Sequence, residues 1–503
     1  MEEATHLKRN QFGTKSAIIF ALVYTAPVMS LAGALQVMAG KVGYGVPMGM
    51  LVGALAMIAT ALSLMEMVKT KPHTAGSIGA FGKEALGPIW GFVPGWMILV
   101  INLNIIFPAP ICAVYLHSTL EGFFGWSPPA WLMVIAIVSV AAYIAWRGIV
   151  PSLEAALVFF CVEMVIMGAL AVTGFVLAGR HGVLTHHLVQ NFTPKASFPA
   201  GYKAVGAVGL WAAASYSVYL YAGYEAVTTL GEEAKAARKA ITTAVVVSVI
   251  VVAIVFSVFS AGLIDGPIKS FSAFTGSLDG LAAVATDYWG NHGIGAMHFA
   301  TFVSLAAFTS AFACTLLILN ESTRMAYYFG KEGHLPAYRW FGKVHPKHHS
   351  PSNAILFAWI VGLIVAVPGT LAGAGERLPL VHWSLPVNTW ITWFSVETTL
   401  FVVMYIFINA LNIIHYRNRW NAYGIVMNKI VPIVGGGLMC YFWTQQVHTT
   451  WWWSIAVVVA GVVVVLIMSR LRPSAFKGEH IDKGVPLLDW ERGVREPLPE
   501  NPE

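Results

Sequence analysis

Long apolar runs recur along this chain as far as residue 469, and a run of about 20 such residues is what a helix needs to cross a bilayer. Lipid offers the backbone no hydrogen bonds, so segments of this kind must satisfy their amides internally, as helices. The runs fall at 16–39, 48–68, 89–117, 130–148, 153–178, 205–230, 241–263, 296–320, 353–372, 387–411, 430–446 and 451–469. They predict an all-α polytopic membrane protein with twelve transmembrane helices. Hydrophobic residues make up 57% of the 503 and charged ones only 11%, too little polar surface for a water-soluble protein of this size. The runs continue far beyond the first, so the first does not read as a removable signal on a soluble domain.

Lysines and arginines test the count. With the N-terminus inside, 24 of the 30 fall on the cytoplasmic side; Lys41, Arg180, Lys195, Lys203, Lys269 and Arg377 fall outside. One helix more or fewer would scramble that asymmetry. The expected location is a bacterial-type inner or plasma membrane, with both termini cytoplasmic. The net charge of +6 is explained by this basic rim and implies no nucleic-acid partner. Cys112, Cys161, Cys314 and Cys440 lie in apolar spans without C-x-x-C spacing and read as packing residues. His181, His186 and His187 share a loop but lack the companions of a metal site.

Two spans are interrupted. The first, AIIFALVYTAPVMSLAGALQVMA, has Pro27 near its centre, where it removes an amide and clashes with the preceding turn. The sixth contains YLYAGYEAVTTLGEE, in which Gly223 weakens the helix and Glu225 is costly in hydrocarbon unless it is neutral, paired or facing a wet interior. If spans 1–5 and 6–10 are related halves, the breaks occupy corresponding positions, which points to a midplane site between inverted repeats.

The stretch YAGYEAVTTLGEEAKAARKAI, together with NESTRMAYYFGKEGHLPAYRWFGKVHPKHHSPSNAI at residues 320–355, resembles the amino acid, polyamine and organocation transporter superfamily. The resemblance in organisation covers most of residues 14–470. It implies two inverted five-helix repeats plus two additional helices, and secondary active transport by alternating access, with no covalent reaction. The domain plan is then a cytoplasmic segment 1–15, a transport core 16–411, a connection with the last two helices 412–469 and a cytoplasmic tail 470–503. Departures exist. The first break reads Thr25-Ala26-Pro27-Val28-Met29-Ser30 instead of a Gly-x-Gly-like motif, similar to putrescine-importer-like and other permeases. The Asn-Pro after Gly-Glu-Glu is absent, which leads us to expect a more continuous entry into the seventh helix.

The expected substrate is a small amino-containing solute, an amino acid ahead of a polyamine or other organic amine, held between the breaks among membrane lipids. Exposed amides suit a carboxylate and freed carbonyls an ammonium group. Thr25, Ala26, Val28 and Met29 offer backbone groups, Pro27 a carbonyl only and Ser30 a hydroxyl. Tyr221, Ala222 and Gly223 offer carbonyls or nearby amides, and the resemblance places Tyr219 as an aromatic closing over substrate. No cofactor is expected; a proton is the leading coupling ion. Glu225 and Glu163, the latter in FFCVEMVIMGAL, are the candidate proton carriers, each with a structural hydrogen bond as its competing role. The resemblance sets Glu163 near a position that is basic in some proton-dependent members. Asn102 and Asn104 in NLNIIFPAP and Glu397 in WFSVETTLF either line the pathway or join helices. Thr309 and Ser310 form a candidate sodium pair, though ordinary back-bonding to the helix is the favoured reading. A channel or a receptor is the alternative of a different class.

Overall fold

The computed structural model describes residues 7–103, 108–194, 197–199, 201–202, 209–276, 280–290, 292–294, 297–374, 388–446 and 448–476. In chain order the helices are α1 (Thr14–Tyr24), α2 (Pro27–Val42), α3 (Val46–Val68), α4 (Ser77–Trp90), α5 (Phe92–Leu103), α6 (Pro108–Phe124), α7 (Ala130–Trp146), α8 (Ile149–Arg180), α9 (Leu184–Asn191) and α10 (Leu210–Tyr221). A 3-10 stretch, Tyr224–Leu230, precedes α11 (Ala237–Asp265), α12 (Phe271–Thr275), α13 (Gly280–Trp289), α14 (Phe299–Lys331), α15 (Tyr338–Phe341), α16 (Ser352–Ala374) and α17 (Asn388–His415). The last are α18 (Ala422–Ile425), which a π turn joins to α19 (Val431–Thr444), then α20 (His448–Leu471) and α21 (Pro473–Phe476).

Among the described residues, helical structure occupies each apolar run. Among the described residues nine helical stretches are long and apolar enough to cross a membrane, while Ala130–Trp146 and Ser352–Ile364 are shorter apolar helices and the sixth run is divided at its break. In α11 the sequence AVVVSVIVVAIVFSVFS is rich in β-branched residues, which in water disfavour a helix; lipid overrides that preference because a strand there would leave its amides unpaired. α11 begins directly after Ala236, whose φ of 43° turns the chain.

Two groups of helices pack together. One joins α1, α3, α10, α11 and the 3-10 stretch; the other gathers α5, α6 and α8 around α14. Of the long spans α14 is the most buried and α20 the least. Leu55, Val165, Ile254, Ile433 and Trp452 point outward, an apolar surface of the kind that lipid covers.

The breaks differ from simple kinks. α1 ends at Tyr24, Ala26 adopts a left-handed φ of 43°, and Pro27 opens α2. At that first position the missing amide costs no helical hydrogen bond and the ring clashes with nothing, so the proline starts a second half-helix where the sequence suggested strain within one. Thr25 donates its hydroxyl to Leu22 O at 2.7 Å and Ser30 to Thr25 O at 2.7 Å. In the sixth run α10 ends at Tyr221, Ala222 is extended and Gly223 has φ 108°. The breaks touch: a Cβ on Gly223 would lie 2.0 Å from Cδ1 of Tyr24.

At the face carrying the N-terminus, the chain after α20 folds back. Arg472 donates to Gly333 O at 3.2 Å and lies 3.5 Å over the Tyr338 ring. Phe476 stacks on His334 at 4.5 Å, with Phe92 and Phe329 beside it. The start of the expected tail is therefore docked; residues 477–503 lie outside the described residues.

Gly223→Ala should destabilise the protein by at least about 2 kcal/mol, from strain at positive φ and the clash with Tyr24. Thermal unfolding in detergent measures this, and adding Tyr24→Ala should relieve the clash component. A second expectation concerns His334, whose burial among these rings pushes its pKa from 6.5 down to about 4. The docked imidazole therefore binds fewer protons than the free one. Docking is fully present above about pH 6.5 and weakens as pH falls towards about 4, by at most about 2 kcal/mol at pH 5, since Phe92 and Phe329 still cover the ring after undocking. Limited proteolysis after α20 should speed up across that window, and His334→Phe should abolish the pH dependence.

Candidate functional site

A half-helix that begins inside a membrane exposes amides that need acceptors. At α2 each is accounted for. Pro27 has none, Val28 N–H donates to Glu163 Oε2 at 3.4 Å, Met29 N–H donates to Ser310 Oγ at 3.2 Å, and Ser30 N–H donates to Ala26 O at 2.8 Å. Glu163 comes from α8 and Ser310 from α14. The break is thus tied to two other spans. Thr309 beside Ser310 donates back to Ala306 O at 3.0 Å; of the candidate sodium pair, only Ser310 meets the break.

Glu225 serves the second break. Both its oxygens accept the Gly223 N–H at 3.1 Å, and Tyr405 of α17 donates to Oε2 at 3.1 Å. The local sequence explains this: glycine at the turn frees its amide, and a carboxylate two residues on folds back onto it. Thr228 and Thr229 then donate to Glu225 O and Ala226 O at 2.7 Å, steadying the 3-10 stretch.

Between the breaks lies a residue that sequence reasoning missed. Glu321 of α14 is 1% exposed and accepts the Tyr24 hydroxyl at 2.5 Å. Asn102 of α5 meets the same hydroxyl, with its amide oxygen placed 3.0 Å away. One phenolic proton cannot serve both acceptors, so the amide is better turned with its nitrogen donating to the phenol oxygen. That turn also gives the otherwise unpartnered Asn102 Nδ2 an acceptor. The eighth span was expected to end at 320, with Glu321 and Arg324 in a loop; α14 instead continues to Lys331, and its polar residues face the interior.

Tyr219 donates to Glu397 Oε2 of α17 at 3.2 Å, which joins two residues that the sequence singled out separately. The Tyr221 hydroxyl turns away from the break to Met50 O of α3, at 3.0 Å, so only its backbone belongs to the site. Asn104 lies outside the described residues.

Glu163, Glu225, Glu321 and Glu397 are all buried, and among the described residues none forms an ion pair with Lys, Arg or His. Other buried acids are matched. Glu66 pairs with Lys69 at 2.5 Å and Arg419 at 3.5 Å, and Asp265 takes both of its bonds from Asn191. Glu233 holds Arg324 at 2.7 Å, the one arginine or lysine that is buried among the described residues. Four unpaired carboxylates around two touching breaks can bind ammonium groups or protons. Among the described residues no group of three or more His, Cys, Asp or Glu is placed to hold a metal ion.

Known proteins share this organisation. The profile of a family described as amino acid permease matches residues 12–470. The branched-chain amino acid permease BcaP of Bacillus subtilis is 26% identical over 360 residues, covering 68% of this chain and 70% of its own length. The low-affinity putrescine importer PlaP of Escherichia coli K12 is 23% identical over 348 residues, covering 69% and 72%. Among solved structures, MhsT in complex with L-phenylalanine superposes with a TM-score of 0.62 at 14% identity, over 87% of this chain and 99% of that one, a likeness of fold. The chain belongs to the amino acid permease family, a polytopic membrane transporter and not an enzyme.

Proposed function

We propose that this chain imports its solute by proton symport, using alternating access around the two breaks. The observation that carries this reading is the set of four buried carboxylates with no cationic partner among the described residues, gathered where two half-helices meet. A buried carboxylate without a counter-charge is stable chiefly when protonated or when a ligand cation replaces the proton. Exchange of one for the other couples solute to proton.

The reading includes twelve crossings, ten of them in two inverted repeats within 16–411 and two within 412–469, with both termini in the cytoplasm of a bacterial-type cell. The basic loops support that orientation. The face carrying the N-terminus is bridged by ion pairs. Arg324 holds Glu233, Lys331 lies 3.6 Å from Glu232, and Lys83 meets Glu332. We take these pairs as the inner gate, so that solute enters first from the other side.

An amino acid fits if its carboxylate displaces Glu163 from the Val28 amide, so that loading frees Glu163 to take part in proton movement. A specific observation favours a second reading, an amine without a carboxylate. The first-turn amides of α2 are absent or already occupied, and Glu163 stands where a substrate carboxylate would bind. The two named relatives are of both kinds, one a branched-chain amino acid permease and the other a putrescine importer. Sodium coupling is less supported, because Thr309 spends its hydroxyl on its own helix.

Purified protein in proteoliposomes should accumulate an amino acid or a diamine when the outside is more acidic, with sodium absent. Accumulation that follows only a sodium gradient would overturn the proton reading, and no flux of any tested solute under either gradient would count against the transporter mechanism itself. Glu163→Gln separates the substrates. It should weaken diamine uptake, by removing a negative charge, and spare or improve binding of an amino acid.

A further inference from the structure

We propose that Glu321 carries the transported proton, and that it releases the proton by taking Arg324 as its partner when Arg324 loses Glu233. The proposal rests on the proton-symport reading above and assigns the coupling to a residue outside the pair that the sequence suggested.

The first ground is the supply of hydrogen-bond donors. Glu225 has donors at both oxygens, from Gly223 and Tyr405, which favour its charged form. Glu321 has one oxygen on the Tyr24 hydroxyl and the other, Oε1, buried without a partner. A proton on Oε1 removes the charge that nothing there compensates. Glu225 thus secures the break, and Glu321 holds the proton.

The second ground is what lies one turn further along α14. Residues 321 and 324 are at i and i+3, close enough for their side chains to meet on a helix. Arg324 is engaged elsewhere: Nε and Nη2 hold Glu233 Oε2, each at 2.7 Å, and Nη1 holds Asn320. Glu233 belongs to the segment that follows the 3-10 stretch. Its carbonyl accepts Gln11 N–H at 2.8 Å and Phe12 O accepts Lys235 N–H at 2.8 Å, so it is tied to the chain entering α1. Tyr24, the partner of Glu321, ends that same helix. Both contacts therefore run from one connected unit onto α14.

A movement of that unit away from α14 breaks the two contacts together. Arg324 is then a buried cation without a partner, a state of high cost, and Glu321 loses its only donor to Oε2. The local remedy is an ion pair between them. The O–H bond at Glu321 breaks, the proton passes to water at the newly opened face, and the carboxylate left behind neutralises Arg324. When the unit returns, Glu233 reclaims Arg324, and Glu321 takes up its next proton from water on the opposite side once this face has closed. No electron transfer is involved.

The titratable and charged groups facing Glu321 are Tyr24 from α1, Glu225 from the 3-10 stretch, Tyr405 from α17, and Cys314 and Arg324 on its own helix, with Glu233 beyond Arg324. α5 contributes Asn102, which does not titrate. Glu163 of α8 and Glu397 of α17 act on Cys314.

The test compares accumulation with exchange in proteoliposomes, using whichever amino acid or diamine the wild type accumulates. In Glu321→Gln, uphill accumulation driven by a pH gradient should fall to the equilibrium level, a ratio of about one, while exchange of internal for external solute, slowed because Arg324 is stranded each time the face opens, remains measurable with a flattened pH profile. Glu225→Gln should keep its dependence on the proton gradient even where its rate falls. If Glu321→Gln accumulates solute as the wild type does, the proposal is overturned, and the proton-symport reading stands with another carrier. A wild type driven by sodium alone would remove the reading and the proposal together. Should Glu321→Gln fail to fold, Glu233→Gln decides. It leaves Arg324 available to Glu321, so the pH of half-maximal uptake should move to the acid side by about one unit, a tenfold change in proton affinity; an unmoved profile overturns the proposal.

Discussion

A backbone amide released inside a bilayer must find an acceptor within the protein, and the centre of this molecule is organised around that requirement. Opening the first and sixth spans frees amides at Val28, Met29 and Gly223, and each is met by a side chain: Glu163, Ser310 and Glu225. Two of the three are carboxylates. The positive end of a half-helix stabilises a nearby negative charge, so break and acid support one another, and either alone would be costly. Because Glu163 and Ser310 come from α8 and α14, the first break is anchored to the other group of helices. The second is anchored through Tyr405 of α17.

That mutual dependence explains what could be read from the sequence. Pro27, Gly223, Glu225 and Glu163 are conspicuous because each is out of place in an apolar run, and all meet at the breaks. The apolar runs also located the helices, since lipid permits hardly any other backbone. Glu321 and Arg324 were hidden for the opposite reason. They stand in Asn320-Glu321-Ser322-Thr323-Arg324, a polar string that ends a hydropathy run and looks like a loop. Only packing shows that α14 continues through it and that these side chains are buried. Spacing held a clue, since an acid and a base at i and i+3 share a helix face. Nothing local could reveal that Tyr24, 297 positions away, would point its hydroxyl at Glu321, or that Tyr221 would send its own to α3.

Burial alone does not separate the acids by role. Glu66, Glu225, Glu233, Asp265 and Glu321 are all enclosed, yet their surroundings differ in the donors they supply. Glu66 has a lysine and an arginine, Glu233 an arginine, Asp265 an asparagine amide at both oxygens, and Glu225 an amide and a phenol. Glu163 and Glu321 each keep one oxygen with no donor. An acid with a full set of donors can hold its charge through every step of a cycle and serve as a fixture. One with a missing donor is held in place more weakly as an anion, and its protonation can follow the structure around it.

The closed face adds a constraint on how such a cycle must run. Lys331 with Glu232 and Lys83 with Glu332 are partly exposed pairs, which water can replace at little cost. Arg324 with Glu233 is different, since the two side chains are 3% and 4% exposed and separating a buried pair leaves two uncompensated charges. A carrier that must open this face on every turnover cannot afford an arginine stranded in a dry interior. Glu233 can move out with its segment into water; Arg324 stays on α14. Opening is therefore fast only if a second acid stands ready on the same helix and is neutral until needed. Glu321 is placed to meet both conditions: it gives up its proton as the face opens, and it takes up the next one from the opposite side once the face has closed.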